Sequence, residues 1–154
     1  MKRLIIFIAS GLGTGYFPIV PGTVGTIPAW FLAFFFFHDS YLLLGVALVT
    51  TIISIWTAGQ AESWLGHDSR KIVIDEWAGM FVSLLFLPYR LDVYIAAFVF
   101  FRFYDVVKPY PANACEAWPG GWGITFDDIF AAVYTNLTCW LCIIVLHQLA
   151  WFGF

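Results

Sequence analysis

The chain is built of long apolar runs separated by short polar interruptions. The first run starts at Leu4 and is interrupted at Asp39. Gly and Pro crowd its first half, GLGTGYFPIVPGTVGTIP, so that half punctuates rather than spans. A helix is expected to start near Thr26 or Pro28, because proline suits a first turn, and to run to about Phe37. Tyr41–Ala61 is the best single spanning candidate, since about 20 apolar residues cross a bilayer core. Trp77–Leu87 and Leu91–Phe103 are shorter helical candidates separated by LPYRLD, and Ile129–Trp151 is again long enough to span. The two short segments reach only roughly 20 Å against a hydrocarbon core of about 30 Å. They must extend through their polar flanks, tilt in a thinned bilayer, or pack inside a bundle away from lipid.

Composition turns this pattern into a class. The 154 residues, enough for a single domain over 1–154, are 62% hydrophobic, 21% aromatic and 11% charged. A soluble domain is about 25% charged, so an integral membrane protein is expected. The net charge is -3 and no run of Lys or Arg occurs, which argues against a nucleic-acid partner. Lys2 and Arg3 before LIIFIAS mimic a signal peptide, but six apolar residues fall short of the usual core of about 7–15, so the segment is read as mature sequence. Cys115, Cys139 and Cys142 are too few and scattered for a disulfide framework; the C-x-x-C of the last two lies in an apolar run, as inert helix cysteines do.

Charge placement gives sidedness. If each apolar segment crosses in turn, Lys2, Arg3, Arg70, Lys71, Arg102 and Lys108 share one side and Arg90 lies on the other. By the positive-inside rule the first side is the cytoplasm. Eight acids share it: Glu62, Asp68, Asp75, Glu76, Asp105, Glu116, Asp127 and Asp128.

Four stretches on that side carry candidate chemistry. PGTVGT, Pro21–Thr26, offers two glycines, two threonines and a following helix, the makings of an anion nest; a plain helix-capping loop has the same composition. In HDSRKIVIDEWAGM, Asp75 and Glu76 open an apolar helix, where acids suit the helix dipole and also make a hard-cation site; His67 is a candidate acid, base or ligand. In FRFYDVVKP, Arg102 and Asp105 share a helix face, with Lys108 following before Pro109 stops the helix. Charges inside an apolar run cost several kcal/mol unless solvated or paired, which makes them functional suspects. In GGWGITFDD a glycine-rich turn is expected to lead into Asp127 and Asp128 at the start of the last helix. Carboxylates beside Arg102 and Lys108 suit a magnesium ion holding a phosphate, the two bases clasping the same anion. Other phosphatase designs are absent: no Arg follows Cys115, no D-x-D motif occurs, and no Ser-His pairing is present. A transporter or proton relay is the alternative reading of membrane acids, but it wants charges at mid-membrane rather than at segment ends.

GTGYFPIVPGTVGT, IVIDEWAGM, FRFYDVVKPYP and GGWGITFDD, in this order and spacing, resemble the motifs of the phosphatidylglycerophosphatase A family over nearly the whole chain. The resemblance implies an all-α fold. With the segments above this is a compact bundle of about five to six helices, several transmembrane or membrane-embedded, with Gly/Pro-rich polar loops forming a site at one membrane face. It implies magnesium-dependent hydrolysis of the lipid phosphatidylglycerophosphate to phosphatidylglycerol and phosphate at a bacterial cytoplasmic membrane. Carried over by position, the polar motif residues are Thr23, Thr26, Asp68, Asp75, Glu76, Arg102, Asp105, Lys108, Glu116, Asp127 and Asp128. Asp75, Glu76, Asp105, Asp127 and Asp128 are then the catalytic candidates, and all of them but Asp105 are metal candidates. Arg102, Lys108, Thr23, Gly25 and Thr26 would bind the substrate phosphate, with Asp68, Glu116 and His67 supporting. Thr125 stands where the family commonly has methionine and Ala132 where it commonly has glycine.

Overall fold

A computed structural model describes residues 1–66 and 69–151, the side chain of residue 151 excepted. Among the described residues it is all-helical. The helices are α1 (Lys2–Ala9), α2 (Pro21–Phe36), α3 (Ser40–Leu65), α4 (Ile74–Ser83), α5 (Leu91–Val107), α6 (Ala112–Cys115) and α7 (Gly121–Trp151), with a 3-10 turn at Thr14–Tyr16. Local chemistry sets several ends. The Asp39 carboxylate caps α3 by accepting the Leu42 N–H at 2.8 Å. α5 stops at Lys108, whose φ of 45° is left-handed, just before Pro109.

Two helices begin earlier than their sequence suggests. α2 starts at Pro21, not near Thr26 or Pro28, so PGTVGT is helix rather than loop. α7 starts at Gly121, so Asp127 and Asp128 sit one to two turns inside it instead of opening it. Inside each helix start glycine serves close packing, whereas Gly120, just before α7, has the left-handed φ of 58° that suits a turn. A side chain at Gly25 would strike Val73, and one at Gly121 would strike the Ile55 carbonyl of α3.

α4 is the hub, packed by α2, α3, α5 and α7. Eight of its ten residues are buried, including Trp77, Met80 and Phe81. At 1.5 Å per residue it is about 15 Å long. Of the three fates open to a short apolar segment, this one packs inside the bundle. A helix buried on all sides is apolar all round, which is why its sequence imitates a membrane span.

α3 and α7 are long and apolar enough to cross a membrane, with mean hydropathies of 2.0 and 2.1 and most of each outside the core. α5 exposes Ile95, Val99, Phe103 and Val106 along one stripe, and α7 exposes Leu137, Leu141 and Ile144. Continuous apolar faces of this kind suit lipid better than water. Thr125 is buried on the α3 side of α7, its hydroxyl 2.7 Å from Ser54 Oγ. Ala132 is fully buried in the core. Neither residue of the two family departures lines the polar cleft described next.

Candidate active site

The polar residues converge because four helices meet at one end of the bundle. α2 and α4 bring their N-termini, α5 its C-terminal turn, and α7 its second turn. The α4–α7 crossing depends on Gly79. A Cβ there would lie 2.7 Å from the Phe101 ring and 3.1 Å from the Asp128 carbonyl. Only a glycine lets α4 come this near, and the approach sets Asp75, one turn before it, beside Asp128.

The result is a cleft of about 330 Å³. Asp75, Glu76, Asp105, Asp127 and Asp128 line it together with Arg102 and Lys108. Both basic residues are held firmly. Arg102 Nη1 lies 3.1 Å from Glu76 Oε2 and 2.8 Å from Asp105 Oδ2. Lys108 Nζ lies 2.7 Å from Asp127 Oδ2 and 2.5 Å from Glu116 Oε1. The buried Thr26 hydroxyl sits 2.7 Å from Glu76 Oε2 and 2.8 Å from the Gly22 carbonyl, and accepts a long 3.5 Å contact from Arg102. Arg102 Nε is buried with no acceptor among the described residues.

The charges do not cancel. Asp75 and Asp128 are 8% and 3% exposed, and no cation among the described residues reaches either within salt-bridge distance. Burial, then Glu76 and Asp127, push the Asp75 carboxyl well above its usual range. Burial also raises Glu76 to about 7, although Arg102 pulls the other way. Burial alone would lower Lys108, but Asp127 and Glu116 hold it above its ordinary value, so it stays charged. Among the described residues no group of three His, Cys, Asp or Glu forms a ready-made metal cage. The cleft offers oxygen donors in carboxylate pairs.

Most of the residues singled out in the sequence meet here, but not all in the expected roles. Thr23, Gly25 and Thr26 do not line the cleft; Thr26 is fully buried with its hydroxyl on Glu76 and the Gly22 carbonyl, and Gly25 packs on Val73 while its carbonyl accepts the Trp77 indole N–H at 2.7 Å. Helix α2 instead presents Val20, Pro21 and Gly22. A side chain at Gly22 would collide with Glu76 and come within 2.8 Å of Arg102 Nη2. Glu116 is a half-exposed clamp on Lys108. His67 and Asp68 lie outside the described residues. Sequence reasoning missed Gly22, Ser69 and Arg70 as cleft residues. Their signal was position inside PGTVGT and HDSRKIVIDEWAGM, where the more reactive neighbours drew the attention.

The family model for phosphatidylglycerophosphatase A matches residues 7–143. The chain belongs to the phosphatidylglycerophosphatase A family. It is therefore a phosphatase, and the motifs that resemble this family are the ones lining the cleft. A phosphatidylglycerophosphatase A of Escherichia coli is 39% identical over 132 residues, 82% of this chain and 76% of that protein. One of Haemophilus influenzae is 33% identical over 137 residues, 84% of this chain and 83% of that protein. A Bacteroides thetaiotaomicron protein named "Putative phosphatidylinositol-3-phosphatase" is 37% identical over 147 residues, 88% of this chain and 92% of that protein. No solved structure matches the chain.

Proposed function

We propose that this chain hydrolyses the phosphate monoester of phosphatidylglycerophosphate, giving phosphatidylglycerol and inorganic phosphate, with a magnesium ion. The observation that carries the reading is the surplus of buried carboxylate in a cleft that also holds two fixed bases, in a member of this family. Asp75 and Asp128 are the acids left without a cation, so they are the residues that would hold the ion. Hard oxygen donors in ones or twos, completed by water and substrate phosphate, are the usual magnesium set. The bound ion would supply charge neutralisation at the phosphoryl oxygens and acidify a water.

The remaining roles belong to the chain. Arg102, gripped by Glu76 and Asp105, presents a fixed guanidinium to the phosphoryl oxygens. Lys108, held by Asp127 and Glu116, adds a second positive charge. Gly22, lacking a side chain, lets Glu76 and Arg102 close against the first turn of α2, whose positive end favours the same anion. Glu76, poised near neutrality, takes the proton of the attacking water. The acyl chains stay against the apolar faces of the bundle, and the charged end, with its cluster of bases, faces the cytoplasm of a bacterium. Transport is disfavoured because the charges gather at one end of the helices.

The test is phosphate release by purified protein in detergent, with phosphatidylglycerophosphate and phosphatidylinositol 3-phosphate in parallel, each with magnesium or with EDTA. Preferred turnover of phosphatidylglycerophosphate that stops in EDTA is expected. Full activity in chelator would remove the metal, and a preference for the phosphoinositide would reassign the headgroup in line with the Bacteroides relative's name.

A further inference from the structure

The proposed substrate carries two phosphates, the monoester that is cleaved and the diester that joins the headgroup to diacylglycerol. The cleft has fixed partners for only one of them. Arg102 and Lys108 each already meet two carboxylates, and their side chains are only 16% and 25% exposed. A second anion entering beside five carboxylates would be repelled unless another cation stood at the mouth.

Arg70 stands there. It lines the cleft, it is exposed, and no carboxylate among the described residues pairs with it. Its position is built rather than incidental. The Ile72 N–H donates to the Ser69 carbonyl at 2.8 Å, closing a turn with Arg70 and Lys71 at its tip. The Val73 N–H donates to the Ala9 carbonyl at 2.9 Å, tying the strand of chain after the turn to α1. Gly15 packs so closely on the Lys71 carbonyl that a side chain there would collide with it. The turn also divides its two bases, since Lys71 leaves the cleft to lie 5.2 Å over the Tyr16 ring. Ser69 lines the cleft beside Arg70 and adds a hydroxyl.

We infer that Arg70, with Ser69, binds the phosphodiester of the lipid and so selects substrates whose phosphate monoester is carried on a diester-linked headgroup. This rests on the reading of the chain as a phosphatidylglycerophosphate phosphatase. Arg70 is a positioning residue under this assignment. It fixes the headgroup while Arg102 and Lys108 act on the monoester.

Two inhibitors separate the two phosphate sites. Phosphatidylglycerol keeps the diester and lacks the monoester; inorganic phosphate mimics the monoester alone. Arg70→Ala should raise KM for phosphatidylglycerophosphate and Ki for phosphatidylglycerol about tenfold each, as expected for loss of a charge-assisted contact. Its kcat should fall by less than the rise in KM, and Ki for inorganic phosphate should shift far less than that for phosphatidylglycerol. Arg70→Lys should recover much of the lipid affinity. An unchanged Ki for phosphatidylglycerol, or an equal weakening of inorganic phosphate, overturns the assignment. If the wild type is active and Arg70→Ala matches it, the inference alone fails. If the wild type leaves phosphatidylglycerophosphate intact, the functional reading fails and takes the inference with it.

Discussion

Gly79→Ala tests whether helix approach builds the site. The added methyl would lie 2.7 Å from the Phe101 ring and 3.1 Å from the Asp128 carbonyl. Phe101 is fully buried, so its ring has little room to withdraw. Overpacking of this kind costs about 1–3 kcal/mol. Against it stands a helix-propensity gain of about 1 kcal/mol for replacing glycine by alanine. The net expectation is a loss of about 0–2 kcal/mol. Gly45→Ala isolates the packing effect. Gly45 also lies within a helix, is exposed, and has nothing within 4 Å of an added Cβ. That variant should show the propensity gain alone, so the two alanines should differ by about 1–3 kcal/mol. Thermal unfolding in detergent measures the difference, and phosphate release measures its functional echo. A shift of α4 against α7 separates Asp75 from Asp128. Displacements near 1 Å cost about a hundredfold in rate, and a few tenths should still cost several-fold. If Gly79→Ala is as stable and active as Gly45→Ala, the close crossing is not what builds the site.

Asp75→Asn and Asp128→Asn should each lower kcat at least about a hundredfold while leaving the melting temperature equal or higher in the absence of divalent ions, because each removes one of several crowded buried carboxylates; circular dichroism melts beside the activity assay check both, and a variant that keeps turnover would strike its residue from the ion-holding pair. Glu76 has its carboxyl raised from 4.5 to about 7 in the folded protein, so the fold binds its proton more tightly than the unfolded chain does. Its contribution to stability is therefore fully present below about pH 4.5 and is lost as pH rises through about 7. Ion-free protein should lose stability across that window and Glu76→Gln should lose less, as unfolding at stepped pH would reveal; identical profiles would show that Glu76 is not the titrating group.

The sequence by itself determined the apolar character, the helical segments and most of the charged residues that line the cleft. Seventeen charges in 154 residues leave few candidates, and a buried charge in an apolar chain needs a reason. Asp75, Glu76, Arg102, Asp105, Lys108, Asp127 and Asp128 were legible for that cause, and the structure gathers them in one cleft. Helix boundaries were legible only where capping chemistry is local, as at Asp39 and at Lys108–Pro109. They were hidden where glycine is present for a neighbour's sake. Gly22, Gly25 and Gly121 read as turn formers, yet each lies in a helix pressed against side chains or backbone from another segment. The burial of α4 on all sides was likewise invisible, because a core helix and a membrane span have the same apolar composition. Only the tertiary structure decided which acids pair with Arg102 and Lys108 and which remain uncompensated. Those partners come from helices as far apart in sequence as Glu76 and Arg102, or Lys108 and Asp127. Local pattern is carried by neighbours along the chain, but charge balance in a cleft is set by distances across it.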